Sequence, residues 1–399
     1  MSDKLIPINK LSLNRYPETN DGSLRAWNAA DEYLFECLRE HNFHETDKLL
    51  IINDQFGALT CGLINYHPYY WTDSLLSRTA IQLNLSSKDN ARYNSTDSQA
   101  IHIDQCENFI PEDLKFDLVI IRVPKHNSLL EFQLKSILPH IKHSTKILSA
   151  GMTRDIHNSN LKLFEKIIGT TRTSLAMKKA RLIFTNLDKK PEFTCHQEVV
   201  DSSLAIYKIP EYDLTSVGFS GVFSRDNLDI GTRVLLQFMP ETKPQQKLID
   251  LGCGTGVLGA YAAKQNSELE VTFTDESWLA VASAMKTFHA NVAGDANFSV
   301  TNVLNDLADN HYDHILCNPP FHQQNVQTLA IADKMFKDSA LKLNSNGELR
   351  VVANRHLPYE NKLQKYFSTV EILSKDPKFN VWLAKDPKDI TTHKTDFLY

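Results

Sequence analysis

Lys247-Leu248-Ile249-Asp250-Leu251-Gly252-Cys253-Gly254-Thr255-Gly256-Val257-Leu258-Gly259 reads as a buried strand, a glycine turn and the start of a helix. Glycine is needed where backbone passes close to a ligand or takes positive φ. A cofactor is therefore expected against this turn, beside Gly252, Cys253, Gly254 and Gly256. Gly254 to Gly259 also satisfies the dinucleotide pattern G-x-G-x-x-G, so a nicotinamide or flavin enzyme has to be weighed. Asp250 argues against one. A carboxylate at this strand end, where a pyrophosphate would lie, repels a dianion and suits the ammonium and sulfonium of S-adenosyl-L-methionine.

Working outward, the next strand, Leu269 to Thr274, ends in Asp275-Glu276. An acid at a second strand end typically holds both ribose hydroxyls of an adenosine, and Asp275 is equally suited to cap the helix from Ser277 to Asn291. Asn302, after the strand Phe298 to Thr301, falls where an adenine contact is expected. The strand His314 to Cys317 then runs into Asn318-Pro319-Pro320-Phe321. An exocyclic amine on a base is a weak nucleophile because its lone pair is spread into the ring. An Asn side-chain oxygen and the backbone carbonyl of the following Pro can each accept one of its N–H groups and aim that lone pair at a methyl donor. Pro320 stiffens the turn, and Phe321 offers a face on which a flipped-out base can stack.

The C-terminal half alternates strands and helices throughout, which specifies a mostly parallel sheet with helices on both faces. Its helix from Trp278 carries Trp278, Ala282, Met285 and His289 at helical spacing, a face expected to pack on the sheet. Ligands of such sheets collect at the carboxyl ends of the strands, and Asp250, Asp275, Asn302 and Asn318 all fall there. The N-terminal half repeats the plan without the chemistry. Phe116 to Lys125 lines up with Tyr312 to Phe321, putting Arg122 where Asn318 stands and Lys125 where Phe321 stands. Leu49 to Leu59 matches the glycine turn with Ile51 opposite Asp250, Asn53 opposite Gly252 and Gln55 opposite Gly254, and only Gly57 survives. This reads as a duplicated fold with a degenerate first copy. The domains are expected over residues 1–190 and 213–399, with a linker over 191–212. Basic residues from Lys162 to Lys190, with Arg122 and Lys125, suit a phosphate backbone. The run Tyr66, Tyr69, Tyr70 and Trp71 suits either base stacking or core packing.

A formal charge of −5 does not announce a nucleic-acid binder, so any such surface must be local. No run approaches the ~18 apolar residues that span a bilayer, and the N-terminus lacks a signal peptide's apolar core. A cytoplasmic protein with no membrane partner is expected. Six widely spaced cysteines without a C-x-x-C pair read as free thiols, and no metal site is expected.

The chain resembles the bacterial ribosomal RNA guanine-N2 methyltransferases of the tandem-domain type, most nearly their large-subunit branch. The resemblance is carried by Gly221-Val222-Phe223-Ser224-Arg225-Asp226 with Leu228-Asp229-Ile230-Gly231-Thr232, the glycine turn, Asp275-Glu276-Ser277, Asn318 to Gln324, and Ala353-Asn354-Arg355-His356-Leu357. It implies two tandem Rossmann-like class I methyltransferase domains, each a mostly parallel seven-stranded sheet with a C-terminal antiparallel hairpin, the first degenerate. It further implies methyl transfer from S-adenosyl-L-methionine to the N2 of one guanine in 23S rRNA, the second domain catalysing and the first recognising RNA. In that frame Asn318, Pro319, Pro320 and Phe321 form the reaction centre. Asp250, Gly252, Cys253, Gly254, Gly256, Asp275, Glu276, Asn302 and Asn318 hold the cofactor. Phe321, His322 and Arg355 meet substrate, although His322 also suits a packing role and Arg355 an ion pair with Asp275-Glu276. The small-subunit enzyme of the same family is the alternative. Adenine-N6 enzymes on DNA and glutamine-amide enzymes on release factors share the Asn-Pro-Pro-aromatic motif, and a non-catalytic ribosome-assembly binder is the rival from another class.

Overall fold

Two seven-stranded sheets of the same topology form the framework of the fold. The computed structural model describes residues 4–18, 23–40, 44, 46–95, 97–103, 110–189, 192–193, 195–320 and 326–389. It divides into two compact units, Met1–Ser203 and Leu204–Tyr399. Among the described residues, no helix is long and apolar enough to cross a membrane, and no group of His, Cys, Asp and Glu could hold a metal ion.

In the first unit the strands are β1 (Leu49–Ile52), β2 (Tyr69–Trp71), β3 (Ile101–His102), β4 (Phe116–Arg122), β5 (Ile141–Met152), β6 (Thr171–Thr173) and β7 (Ala180–Thr185). Its helices are α1 (Ala29–Arg39), α2 (Ala58–Gly62), α3 (Leu75–Ser86), α4 (Lys88–Ala91), α5 (Asn127–Ile137), α6 (Asn158–Ile167) and α7 (His196–Ser203). The sheet order is β3-β2-β1-β4-β5-β7-β6, with β7 antiparallel to both neighbours. Leu49, Leu50, Ile51 and Ile52 are all fully buried, as expected of a central parallel strand covered on both faces.

The second unit opens with a hairpin, β8 (Ala205–Ile209) and β9 (Leu214–Gly218). Its sheet holds β10 (Lys247–Leu251), β11 (Glu270–Asp275), β12 (Asn297–Val300), β13 (Tyr312–Cys317), β14 (Leu343–Asn354), β15 (Phe367–Lys375) and β16 (Phe379–Pro387), in the order β12-β11-β10-β13-β14-β16-β15. Strand β16 is the antiparallel member. The helices are α8 (Ile230–Leu236), α9 (Val257–Gln265), α10 (Trp278–Asn291), α11 (Val326–Lys342) and α12 (Tyr359–Tyr366). The apolar residues of β10, β13 and β14 form the centre of one continuous core with Phe273, Phe288, Phe336 and Trp382.

Two sequence expectations change. Described residues of the stretch expected as a linker form elements: α7 closes the first unit with Val199 fully buried, and β8 pairs with β9 along its whole length. Asn344 to Gly347 lie inside β14, where its register shifts against β13. On α10, Met285 is exposed while Ala280, Ser283, Ala284, Thr287 and Phe288 are buried, so the expected face is rotated. The cause is β9. Ser283 Oγ accepts from Phe219 N at 2.9 Å, Thr287 Oγ1 accepts from Val217 N at 2.9 Å, and Asn291 Oδ1 accepts from Thr215 N at 2.8 Å. Four helical residues rise about 6 Å and two strand residues about 6.7 Å. A polar stripe at i, i+4 and i+8 therefore matches every second residue of a strand and replaces a missing strand neighbour.

Candidate active site

The glycine turn has the backbone that its sequence requires. Gly252, Gly254 and Gly256 take φ of +68°, +52° and +76°, the left-handed region that costs an L-residue about 1–2 kcal/mol. A Cβ on Gly256 would lie 2.6 Å from Ala284 Cβ on α10, so this residue lets helix and turn close up. A Cβ on Gly254 would meet nothing nearer than Phe223 O at 3.5 Å. The turn is held by two carboxylates. Asp250 Oδ2 accepts from Gly259 N at 2.9 Å, in the first turn of α9. Asp275 Oδ2 accepts from Gly254 N at 3.1 Å and its Oδ1 from Ser277 N at 3.0 Å, so it serves the turn and the start of α10 together.

Both acids sit in surroundings short of positive charge. Burial pushes Asp250 up to about 7, the Gly259 amide opposing the rise and the Asp275 charge adding to it. Asp275 is raised for the same reason, against the amides that it accepts. A buried carboxylate without a cation is a place where a ligand cation is favoured.

Asn318 follows β13 directly. Its Nδ2 donates to Asp229 Oδ2 at 3.1 Å and to Thr232 Oγ1 at 2.9 Å, both at the start of α8. Its Oδ1 is buried with no hydrogen-bond partner among the described residues, an unusual state for a strong acceptor. One cavity is lined by Asp250, Gly252, Cys253, Gly254 and Asn318 together with Phe223, Ser224, Leu228, Thr232, Thr255, Val257 and Leu258. Phe223 is an exposed aromatic at its rim, on a loop where Ser224 takes φ of +63° and Ser224 Oγ bridges Asn227 O and Asp229 N.

Five predicted residues thus share one cavity, while Gly256 and Asp275 hold the turn that lines it without lining it themselves. Glu276 follows at the end of β11, and Asn302 lies two residues beyond β12, away from the cavity lining. Pro319 is buried and Pro320 exposed. Phe321 and His322 lie outside the described residues. Arg355 is exposed one residue past β14 and makes no ion pair with a described residue, so the pairing with Asp275-Glu276 is not formed. Sequence reasoning gave Asp229 and Thr232 no role at the site. They stand 89 and 86 residues from Asn318, and the available signal was their position as N-cap and third residue of a short helix.

The first unit carries the same framework with other chemistry. Asn53 and Gly57 keep positive φ of 64° and 89° at the positions of Gly252 and Gly256. Asn53 Nδ2 reaches Arg122 O and Gln133 Oε1, both at 2.9 Å. The amide of Thr60, opposite Gly259, donates at 2.7 Å to Asp54 on the turn rather than to a strand carboxylate. Arg122 reaches Asn28 Oδ1 at 3.2 Å and Asp31 Oδ1 at 3.2 Å at the start of α1. The cleft there is lined by Arg15, Arg25, Trp27, Asn28, Asp31, Asp54, Gln55, Phe56 and Arg122. Tyr66, Tyr70 and Trp71 are buried, so these three serve core packing and offer no stacking surface.

Comparison with known proteins agrees with this division. Residues 1–189 match the family described as RLMG N-terminal domain, and residues 213–383 match the family described as Methyltransferase small domain. The chain is similar to ribosomal RNA large subunit methyltransferase G of Aeromonas salmonicida, with 40% identity over 383 residues covering 94% of this chain and 97% of that one. It is 38% identical to the protein of that name from Streptomyces avermitilis over 382 residues, covering 95% and 97%. In structure it is similar to a T. thermophilus 16S rRNA N2 methyltransferase in complex with AdoMet and guanosine, at a TM-score of 0.73 and 18% identity, covering 97% of this chain and 100% of that one.

Proposed function

Because the chain belongs to the family of ribosomal RNA large subunit methyltransferase G, we propose that it transfers a methyl group from S-adenosyl-L-methionine to the exocyclic N2 of one guanine in 23S rRNA. The observation that carries this reading is Asn318, which lines the cavity of the glycine turn and whose buried Oδ1 has no partner among the described residues. A dinucleotide oxidoreductase has no use for such an acceptor, nor has a non-catalytic binder.

When bound, S-adenosyl-L-methionine supplies an electrophilic methyl group. The residues present fit it: a glycine cradle that excludes side chains, and Asp250 buried without a cation. Asp250, Gly252, Cys253, Gly254 and Gly256 hold the methionine end, Asp275 with Glu276 the ribose, and Asn302 the adenine. Asn318 Oδ1 and the Pro319 carbonyl accept the two N–H groups of the guanine amine and turn its lone pair out of conjugation, so positioning supplies most of the rate. Pro320 stiffens the elbow, and Phe321, His322 and Arg355 complete the substrate side. The first unit recognises RNA, with Arg15, Arg25 and Arg122 lining its cleft and Lys125 exposed beside it.

The test is Asn318→Ala, a substitution expected to abolish turnover on 23S rRNA while S-adenosylhomocysteine affinity stays near wild type. Full activity in that variant refutes the assignment. Mapping N2-methylguanine in 23S and 16S rRNA from a deletion strain decides between subunits, and labelled methyl on DNA or on a release factor overturns the RNA reading.

A further inference from the structure

We infer that Asp229 and Thr232 are positioning residues that lock the side-chain amide of Asn318 in one of its two orientations, so that its oxygen alone faces the reacting amine; this rests on the function proposed above. An Asn amide is nearly symmetric in shape, and a half-turn would present two donors to an amine that must be met by an acceptor. The neighbours decide which face is shown. The carboxylate oxygen of Asp229 accepts only, and at 3.1 Å it has to face an N–H. The Thr232 hydroxyl takes the second N–H at 2.9 Å. With both amide hydrogens used, Oδ1 is the amide atom left without a partner among the described residues, on a side chain that lines the cavity.

The lock is itself held. Asp229 Oδ2 also accepts from Thr232 N at 3.0 Å as the N-cap of α8, which fixes that oxygen where Asn318 needs it. Gly231 lets the groups approach: a Cβ there would stand 2.9 Å from Asp229 Oδ2 and 3.5 Å from both amide heavy atoms of Asn318. The first unit shows the three positions changing together. Where the strand-end residue becomes the donor Arg122, the helix start offers Asn28, which accepts from it, and Asp31, which pairs with its charge. The trio behaves as one device whose chemistry is set by what its strand end has to present.

The experiment compares full-length variants on 23S rRNA. Asp229→Ser keeps an N-cap, since Ser caps as well as Asp, but its shorter side chain falls away from Asn318. Thr232→Val removes the hydroxyl and leaves the capped backbone N–H. Each is expected to lower kcat about tenfold and the double variant about 100-fold, the scale of a misplaced reacting group. KM for S-adenosyl-L-methionine stays within about twofold. Asp229→Asn and Thr232→Ser, which keep an acceptor at each position, restore most of kcat. A second arm needs no substrate. The side-chain NH2 resonances of Asn318, identified by their loss in Asn318→Asp, exchange slowly with water in the wild type and rapidly in the double variant. A double variant with wild-type kcat, a rise in KM for S-adenosyl-L-methionine at unchanged kcat, or unchanged NH2 exchange overturns the lock. If the wild type methylates no rRNA guanine, the proposed function falls, and the exchange arm still decides the lock.

Discussion

Asp250 is the residue at which folding and ligand binding make opposite demands. In the unfolded chain its carboxyl titrates near 3.8, and in the folded protein burial moves this to about 7. Between those values the folded state holds the extra proton, so the contribution is fully present below about pH 4, declines as pH rises, and is lost above about 7. Asp250→Asn removes the titration and retains an oxygen for the Gly259 amide. Measured by denaturant unfolding without cofactor, the variant gains stability over wild type with rising pH, by a few kcal/mol at pH 8 at about 1.4 kcal/mol per pKa unit. It also loses affinity for S-adenosyl-L-methionine, since the ligand's cations then face a neutral amide. A stability difference that is flat from pH 4 to pH 8 would show that Asp250 is ionised in the fold throughout.

At the scale of elements, the pairing of α10 with β9 is the part of the second unit that depends most on polar contacts. Thr287 Oγ1 accepts from Val217 N and donates to Val217 O at 3.1 Å. Thr287→Val keeps the shape and strands a buried N–H and C=O, a loss of about 1–3 kcal/mol. Ser299→Ala, on a half-buried position of β12, is expected to cost less than about 0.5 kcal/mol. Equal midpoints for the two variants in urea would mean that β9 is held by packing alone. The same pairing explains why the α10 face was not legible in the sequence. Apolar periodicity selects Trp278, Ala282, Met285 and His289, whereas the face that matters is Ser283, Thr287 and Asn291, polar residues buried because a strand edge offers them partners. Central strands such as Leu248 to Leu251 were legible, since an apolar run broken only by Asp250 and ended by glycine reads as a buried strand in an alternating chain. Asp229 and Thr232 were not, because a contact across more than 80 residues leaves no local pattern.

Over the whole molecule, two sheets of one topology meet cofactor with different chemistry, and the duplication was legible from strand spacing and the surviving Gly57. What the alignment could not give was how the first cleft is filled. Asn53 and Gln55 replace two of the three turn glycines. The helix amide that Asp250 serves in the second unit is taken by Asp54 in the first, and Arg122 spans to Asn28 and Asp31. Burial raises Asp54 to about 6 against the amide of Thr60, and both of its oxygens are already used by Gly57 and Thr60. Of the described residues lining that cleft, the two carboxylates, Asp54 and Asp31, are both engaged within the protein, which leaves neither for a ligand ammonium. Titration calorimetry of the full chain with S-adenosylhomocysteine is therefore expected to give one equivalent per chain, unchanged by Arg122→Ala and abolished by Asp250→Ala. RNA binding should divide the other way. Arg122→Ala with Lys125→Ala weakens rRNA affinity and lowers its salt dependence by about one unit of log–log slope per lost phosphate contact, while Asp250→Ala leaves both unchanged. Two equivalents of cofactor per chain, or an RNA affinity indifferent to the first unit's cations, would mean that the copies have not parted in function as their side chains indicate.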